Sequence, residues 1–184
     1  FYAESGGQIG DTGTLWAPKV RIRVNDTQKI NDIYIHYAFI EEGFIHSGDK
    51  LGAQIDEARR LAIMRNHSAT HLLQAVLREI LGPHVKQQGS LVADDRLRFD
   101  FAHPQGITSD EIRMIEDKVN RYILGCHEIK KEAMPIEKAK QSGHTSLRIG
   151  GRKSNREVSI VADATGALIK THRGWSGIAG VGSG

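Results

Sequence analysis

Two histidines in this sequence, His67 and His71, stand four residues apart in the stretch 65–73. On an α-helix, residues at positions i and i+4 lie on the same face, with about 5–6 Å between their Cβ atoms. Two imidazole rings at that spacing can bind one small cation, and imidazole is a preferred ligand of zinc. The pair therefore predicts a metal site on one face of a helix.

A structural alternative stands beside this hypothesis, because nine histidines in 184 residues produce some pairs at this spacing by chance. Such pairs are usually surface residues, or core residues whose ring nitrogens are hydrogen-bonded. The pair also differs from the His-Glu-x-x-His motif of metalloproteases, in which a general-base Glu follows the first histidine. Ser68 stands at that position here. A metal at this site would therefore need a base from elsewhere or would activate water by itself.

A helix is needed to bring the two rings together, and the surrounding sequence predicts one from Asp56 through Leu81. Apolar and small residues recur there at steps of three and four, and Gly82-Pro83 is a stop signal. The expected apolar stripe consists of Leu61, Met64, Ser68, Leu72, Ala75, Val76 and Ile80. The histidines lie at the edge of this stripe, where we expect the helix to border a pocket.

The remaining sequence predicts an α+β fold in two parts, residues 1–55 and 56–184. In the first part, a glycine-rich stretch (residues 1–13) precedes alternating apolar and polar residues, such as Val20 to Val24. Five or six short strands separated by turns, with Asn25-Asp26 as one turn, are typical of a small antiparallel β-barrel-like subdomain. Glycines Gly6 and Gly7 permit positive φ and a close approach of the backbone to a ligand, although a plain loop explains them equally well.

The second part is predicted to be a mixed domain, with helices packed on an antiparallel sheet. Leu97, Phe99 and Phe101 alternate with polar residues in a hairpin whose turn is Asp94-Asp95, and a Thr108-x-x-Glu111 capping box begins a second helix that Gly125 closes. Further strands are expected at 128–133, 157–162 and 167–172, with a short helix at 135–143 and a glycine-rich tail.

Composition narrows the class of protein. The chain is 39% hydrophobic and 26% charged, and no apolar run approaches the about 20 residues of a membrane span. The single cysteine, Cys126, excludes an intrachain disulfide, which fits a cytoplasmic protein or one of the mitochondrial matrix. A net charge of +3 is compatible with binding a polyanion. Because the chain opens at Phe1 without an initiator Met, we expect a fragment of a longer protein.

Four stretches, forming three blocks in order, carry a resemblance to a known family. They are residues 1–13 (FYAESGGQIGDTG), 66–73 (NHSATHLL), 84–92 (HVKQQGSLV) and 97–103 (LRFDFAH). Together they resemble the editing region of alanyl-tRNA synthetase, which is related to free-standing alanyl-tRNA editing proteins and to the editing domain of threonyl-tRNA synthetase. The resemblance covers nearly the whole chain.

This resemblance implies an aminoacyl-tRNA deacylase that acts on mischarged tRNA as part of a synthetase. A pocket built for alanine cannot exclude glycine and discriminates poorly against serine, because selection by size and polarity supplies a few kcal/mol at most. A second site that hydrolyses the ester of Ser-tRNA(Ala) or Gly-tRNA(Ala) removes the error. The chain has no recognisable ATP site, so ATP binding is expected elsewhere in the parent protein.

The resemblance also assigns roles to individual residues. His67 and His71 match zinc ligands, while Thr70 and Gln87 match positions that recognise the misattached amino acid or position the water. For Thr70 the alternative is a hydrogen bond to its own helix backbone, and for Gln87 a structural role in a turn. Gly6 and Gly7 fall in the glycine-rich block and are expected to contact substrate.

One position departs from the family pattern. The second ligand pair of the family lies in a Cys-Gly-Gly-Thr-His segment, which aligns here with residues 168–172. His172 keeps the histidine, but Leu168 replaces the cysteine and cannot bind a metal. Either three histidines and a water hold the zinc, or the domain is degenerate and binds tRNA without hydrolysing it. Nearby basic residues either contact tRNA phosphates or form a solvated face: Arg148, Arg152, Lys153, Arg156, Lys170 and Arg173.

Overall fold

A computed structural model describes residues 1–126, 157–163 and 168–171 of the chain. Two antiparallel sheets and two helices make up this part, so the predicted α+β class is confirmed. The elements in chain order are β1 (Gly13–Ala17), β2 (Val20–Ile30), β3 (Ile33–Glu42), β4 (Gly52–Ile55), α1 (Glu57–Leu81), β5 (Gln87–Val92), β6 (Arg96–Ala102), α2 (Ser109–Leu124), β7 (Glu157–Asp163) and β8 (Leu168–Thr171). Neither helix of the described residues is long and apolar enough to cross a membrane.

The first sheet has the order β3-β2-β1-β4. Its alternation is the expected one, since Ile22 and Val24 are buried while Arg21 and Arg23 are exposed. Four strands replace the five or six expected, because β2 and β3 run on for 11 and 10 residues. The expected turn at Asn25-Asp26 is wrong: the β2–β3 register shifts between Val24 and Asp26, and the strand continues past this irregularity.

The second sheet has the order β5-β6-β7-β8, and its inner strand β6 supplies three residues of the apolar core. The predicted Asp94-Asp95 turn joins β5 to β6, and Leu97, Phe99 and Phe101 are buried as the alternation predicts. These side chains pack against Leu73, Val76 and Leu77 of α1 and Ile115 of α2 in one apolar cluster. Strands β7 and β8 match two predicted strands, whereas those expected at 128–133 and the helix at 135–143 lie outside the described residues.

Both helices begin and end close to where the sequence predicts. Asp56 caps α1, with its carboxylate accepting from the Arg59 N–H at 3.0 Å. At the start of α2 the Thr108 hydroxyl accepts from the Glu111 N–H, and the Glu111 carboxylate accepts from the Thr108 N–H, which completes the predicted capping box.

The buried face of α1 differs from the predicted stripe. Leu61 and Met64 are 46% and 53% exposed. Of the predicted stripe, Val76 is fully buried, and the other buried residues of α1 are Ile63, Thr70, Leu73, Gln74 and Leu77. The prediction failed because α1 carries apolar residues on more than one face, and the large side chains of β6 decide which face packs.

The glycine-rich segment (residues 1–12) lies between the two sheets and bonds to both. The Glu4 N–H donates to the Thr27 carbonyl of β2 at 2.8 Å. On the other side, the Val92 N–H of β5 donates to the Gly7 carbonyl at 2.7 Å, and the Ile9 N–H donates to the Val92 carbonyl at 3.1 Å. The segment therefore fixes the N-terminal sheet relative to β5.

Asp11 ties this segment to the first turn of α1. Its side chain is 2% exposed and accepts from the Arg60 guanidinium, with an Nε–Oδ1 distance of 2.8 Å, and from the Tyr2 N–H at 2.6 Å. Burial disfavours the ionised carboxylate, but the hydrogen bonds from Arg60 and Tyr2 outweigh it and hold the pKa of Asp11 below its usual value. The pair is therefore ionised at neutral pH.

We expect Asp11→Ala to lower the free energy of unfolding by about 2–4 kcal/mol, because it leaves the Arg60 guanidinium and the Tyr2 N–H without their acceptor. Urea unfolding followed by circular dichroism measures this. Asp110→Ala is the matched control: its partner Arg113 is solvent-exposed, and the expected loss is below about 1 kcal/mol. Equal losses in the two variants would contradict a special role for Asp11.

Candidate functional site

The structure brings His67 and His71 together on one face of α1. Their ring centroids are 5.1 Å apart, and the ring planes differ by 28°. Both residues are partly buried, as expected for a helix face that borders a cleft. Two imidazoles side by side are suited to share a cation, a proton or a polar ligand.

Gln8 of the glycine-rich segment contacts this pair. Its side-chain Oε1 lies 2.7 Å from Nδ1 of His67, and Gln8 is 8% exposed. An amide oxygen only accepts hydrogen bonds, so this contact is a hydrogen bond when Nδ1 of His67 carries the proton. The sequence analysis missed Gln8; its one signal is a polar side chain within the glycine-rich block.

Burial keeps His71 in its neutral form at neutral pH. Desolvation of its ring, and then the nearby His67, lower the pKa of His71 below its usual value. A metal ion binds the neutral form of imidazole, because the protonated ring has no free lone pair. His71 is therefore ready to act as a ligand without first losing a proton.

Thr70 is buried on the same turn of α1, between the two histidines in sequence. Its hydroxyl donates to the Asn66 carbonyl at 2.8 Å, which is the backbone hydrogen bond that the structural alternative requires. The Thr70 oxygen can still accept a hydrogen bond while its own proton is donated. Its position is thus compatible with both roles.

Gln87 opens β5, and its Oε1 is buried without a hydrogen-bond partner in the described part of the protein. A buried acceptor that is left unpaired costs about 1–3 kcal/mol, so such groups usually have a ligand or water. Oε1 of Gln87 is therefore suited to accept a hydrogen bond from a bound molecule.

Gly6 and Gly7 form the tip of a tight turn. The Ser5 and Gln8 backbones exchange hydrogen bonds of 3.1 and 3.0 Å, and Gly6 and Gly7 have φ of 68° and 79°. Positive φ at both central residues defines a type I′ turn, which favours glycine. A Cβ on Gly7 would also collide with Ser90. The turn orients Gln8, and substrate contact by Gly6 and Gly7 stays a prediction.

The third predicted ligand, His172, lies outside the described residues. Leu168, which aligns with a cysteine of the family that the sequence resembles, begins β8 and pairs with Ala162. Within residues 1–126 and the two last strands, no three His, Cys, Asp or Glu side chains cluster closely enough to hold a metal ion. The described part of the site therefore supplies two candidate ligands.

A second histidine pair was not predicted from the sequence, although both of its members lie in the blocks noted above. Nε2 of His84 lies 2.8 Å from Nδ1 of His103, and the rings stack with centroids 5.0 Å apart. Burial, and then the neighbouring His84, lower the pKa of His103, while Glu111 opposes this shift. The contact between the two rings joins the residues that follow α1 to the residues that follow β6.

This pair predicts a loss of stability in mild acid. As pH falls through about 6.5, His103 takes up a proton in the unfolded chain but not in the folded one, so the free energy of unfolding decreases. We expect chelator-treated protein to unfold at lower urea concentration near pH 5.5 than near pH 7.5, where no such loss operates. His103→Gln should show a weaker dependence on pH, and exposed His46→Ala an unchanged one. A His103→Gln profile identical to wild type would contradict the assignment.

Comparison with known proteins adds the family context. Residues 1–59 match the family model described as tRNA synthetases class II (A). The chain is 47% identical over 181 residues to an alanine--tRNA ligase of Rhodopseudomonas palustris, covering 96% of this chain and 20% of that protein. It is 48% identical over 161 residues to the alanine--tRNA ligase of Acaryochloris marina, covering 88% of this chain and 18% of the relative. The chain thus spans about a fifth of the length of the curated relatives it matches.

Proposed function

We propose that this chain, which is related over nearly its whole length to a region of alanine--tRNA ligases, is an editing region that hydrolyses the ester bond of Ser-tRNA(Ala) and Gly-tRNA(Ala). The observation that carries the proposal is the His67–His71 pair, with one ring held by Gln8 and the other kept neutral by burial. In this proposal the region works within a longer ligase chain whose other parts bind ATP and charge tRNA.

Zinc is the proposed cofactor, and the two described histidines fit it. His67 can offer Nε2 when its Nδ1–H donates to Gln8, and burial lowers the pKa of His71, which favours its neutral ring with a nitrogen lone pair. His172 would be the third ligand. Bound zinc would polarise the ester carbonyl and lower the pKa of a water molecule.

In this proposal, two polar side chains supply recognition of the amino acid. Hydrolysis adds water to the aminoacyl carbonyl and releases the ribose oxygen as a hydroxyl. Serine differs from alanine by one hydroxyl group. Gln87 Oε1 can accept a hydrogen bond from that hydroxyl, since this buried oxygen has no described partner. The Thr70 oxygen offers a second acceptor beside the histidines. These contacts favour serine over the correct alanine, whose methyl group forms no hydrogen bond.

His67→Ala tests the proposal directly. We expect wild-type protein to contain about one zinc per chain and to deacylate Ser-tRNA(Ala), and the variant to lose the metal and about 100-fold or more of the rate. Elemental analysis and release of labelled serine measure the two effects. His46→Ala removes an exposed histidine and should behave as wild type. If wild-type protein binds no zinc even when it is supplied, the zinc-hydrolase proposal fails.

A second candidate function is favoured by Leu168, which begins β8 where the family has a cysteine. With one ligand lost, the domain would bind tRNA without hydrolysing it. Such a module would bind tRNA with an affinity that falls steeply with salt, and a chelator would not change that affinity.

A free-standing editing protein is the third alternative. It would have the same site without a ligase attached, and the length of the natural protein distinguishes it.

Substitutions at Thr70 and Gln87 separate recognition from structure. A lost hydrogen bond to the serine hydroxyl is worth about 1 kcal/mol, so Thr70→Val and Gln87→Leu should each deacylate Ser-tRNA(Ala) about fivefold more slowly. The rate on Gly-tRNA(Ala) should change less, because glycine has no hydroxyl. Thr14→Val, on β1, is the control. A lower free energy of unfolding with both rates unchanged would show that Thr70 only bonds to its helix.

A further inference from the structure

We infer that Gln8 is a positioning residue that fixes which nitrogen of His67 faces the site. The inference rests on the proposed function, because it concerns how one proposed ligand is oriented. It starts from the 2.7 Å contact between Gln8 Oε1 and His67 Nδ1, which joins residues 59 positions apart in the sequence. Gln8 lies in the glycine-rich segment and His67 on α1, so the contact links two separate parts of the fold.

The backbone on both sides of Gln8 is held in place. The type I′ turn at Gly6-Gly7 precedes it, with Gln8 N–H donating to Ser5 at 3.0 Å. Val92 of β5 then bonds to Gly7 at 2.7 Å and to Ile9 at 3.1 Å. Gln8 itself is buried, so its side chain reaches His67 from a fixed position.

The spacing of two contacts indicates that the glycine-rich segment lies alongside α1. Asp11 binds Arg60, and Gln8 binds His67. Three residues of extended chain span at most about 10 Å, and seven residues of α-helix rise about 10.5 Å. Residues seven apart also lie on nearly the same face of a helix. The segment therefore runs antiparallel along one face of α1, and the two contacts fix its register.

The amide oxygen of Gln8 selects one tautomer of His67. With Nδ1–H donated to Gln8, Nε2 has no proton and its lone pair faces away from the segment. Histidines that bind metals usually donate their other ring N–H in this way, and loss of the acceptor weakens metal binding about 10–100-fold. Without Gln8, neutral His67 would populate both tautomers and its ring would be free to turn.

Nitrogen-15 NMR of the histidine rings reads the tautomer directly, in chelator-treated protein above the titration range of imidazole. We expect the Nδ1–H form of His67 in wild type, a mixture of both forms in Gln8→Leu, and the Nδ1–H form again in Gln8→Glu, whose carboxylate also accepts. Gln28→Leu is the matched control, because the Gln28 side chain donates to Glu4 and Asp26 rather than contacting His67 in a hydrogen bond. A wild-type tautomer that persists in Gln8→Leu, or an Nε2–H form in wild type, overturns the inference.

Zinc affinity, measured by competition with a chelator, supplies the second reading. Gln8→Leu should bind zinc about 10–100-fold more weakly than wild type, Gln8→Glu should recover much of this loss, and Gln28→Leu should be unchanged. If wild type binds no zinc, the proposed function fails while the tautomer still tests Gln8. If wild type binds zinc and Gln8→Leu changes neither affinity nor tautomer, the proposed function stands and Gln8 has only a structural role.

Discussion

The ion pair between buried Asp11 and partly buried Arg60 is the contact on which the candidate site depends. Asp11 is almost fully buried, and its carboxylate takes up hydrogen bonds from Arg60 and Tyr2. A buried charge is tolerated only when it is paired in this way, so Arg60 cannot move away from Asp11 without a large cost. Arg60 and His67 share one face of α1. By holding the glycine-rich segment against this face, the ion pair also helps to place Gln8 opposite His67.

Two different kinds of packing meet on α1. Its C-terminal half packs Leu73, Val76 and Leu77 into the apolar cluster, where contacts are not directional. Its N-terminal half is held by polar contacts to the glycine-rich segment, including a hydrogen bond of 2.9 Å from Arg59 to the Gly10 carbonyl. The histidine pair lies where these two halves join. The apolar half anchors the helix in the core, and the polar half fixes the position of the glycine-rich segment along the helix.

Local signals in the sequence predicted much of the fold. The extent of α1, the capping box at Thr108 and the Asp94-Asp95 hairpin each depend on neighbouring residues, and each was predicted correctly. The pairing of His67 with His71 was predictable for the same reason, because one helix turn sets it. The buried face of α1 was not predicted correctly. Several of its faces carry apolar residues, and packing against β6 determines which of them is buried. Gln8 was also missed, because its contact with His67 spans 59 residues and no local pattern encodes it.

The long separation of these contacts has a consequence for synthesis on the ribosome. Asp11 and Arg60 are 49 residues apart, and at roughly 5–20 residues per second the helix is made a few seconds after the segment it binds. During that interval the Asp11 carboxylate lacks its native partner Arg60, and water must solvate it. The turn at Gly6-Gly7 can form alone, but Gln8 has no histidine to contact. The candidate site can therefore assemble only after α1 has been made, when the glycine-rich segment closes onto that helix.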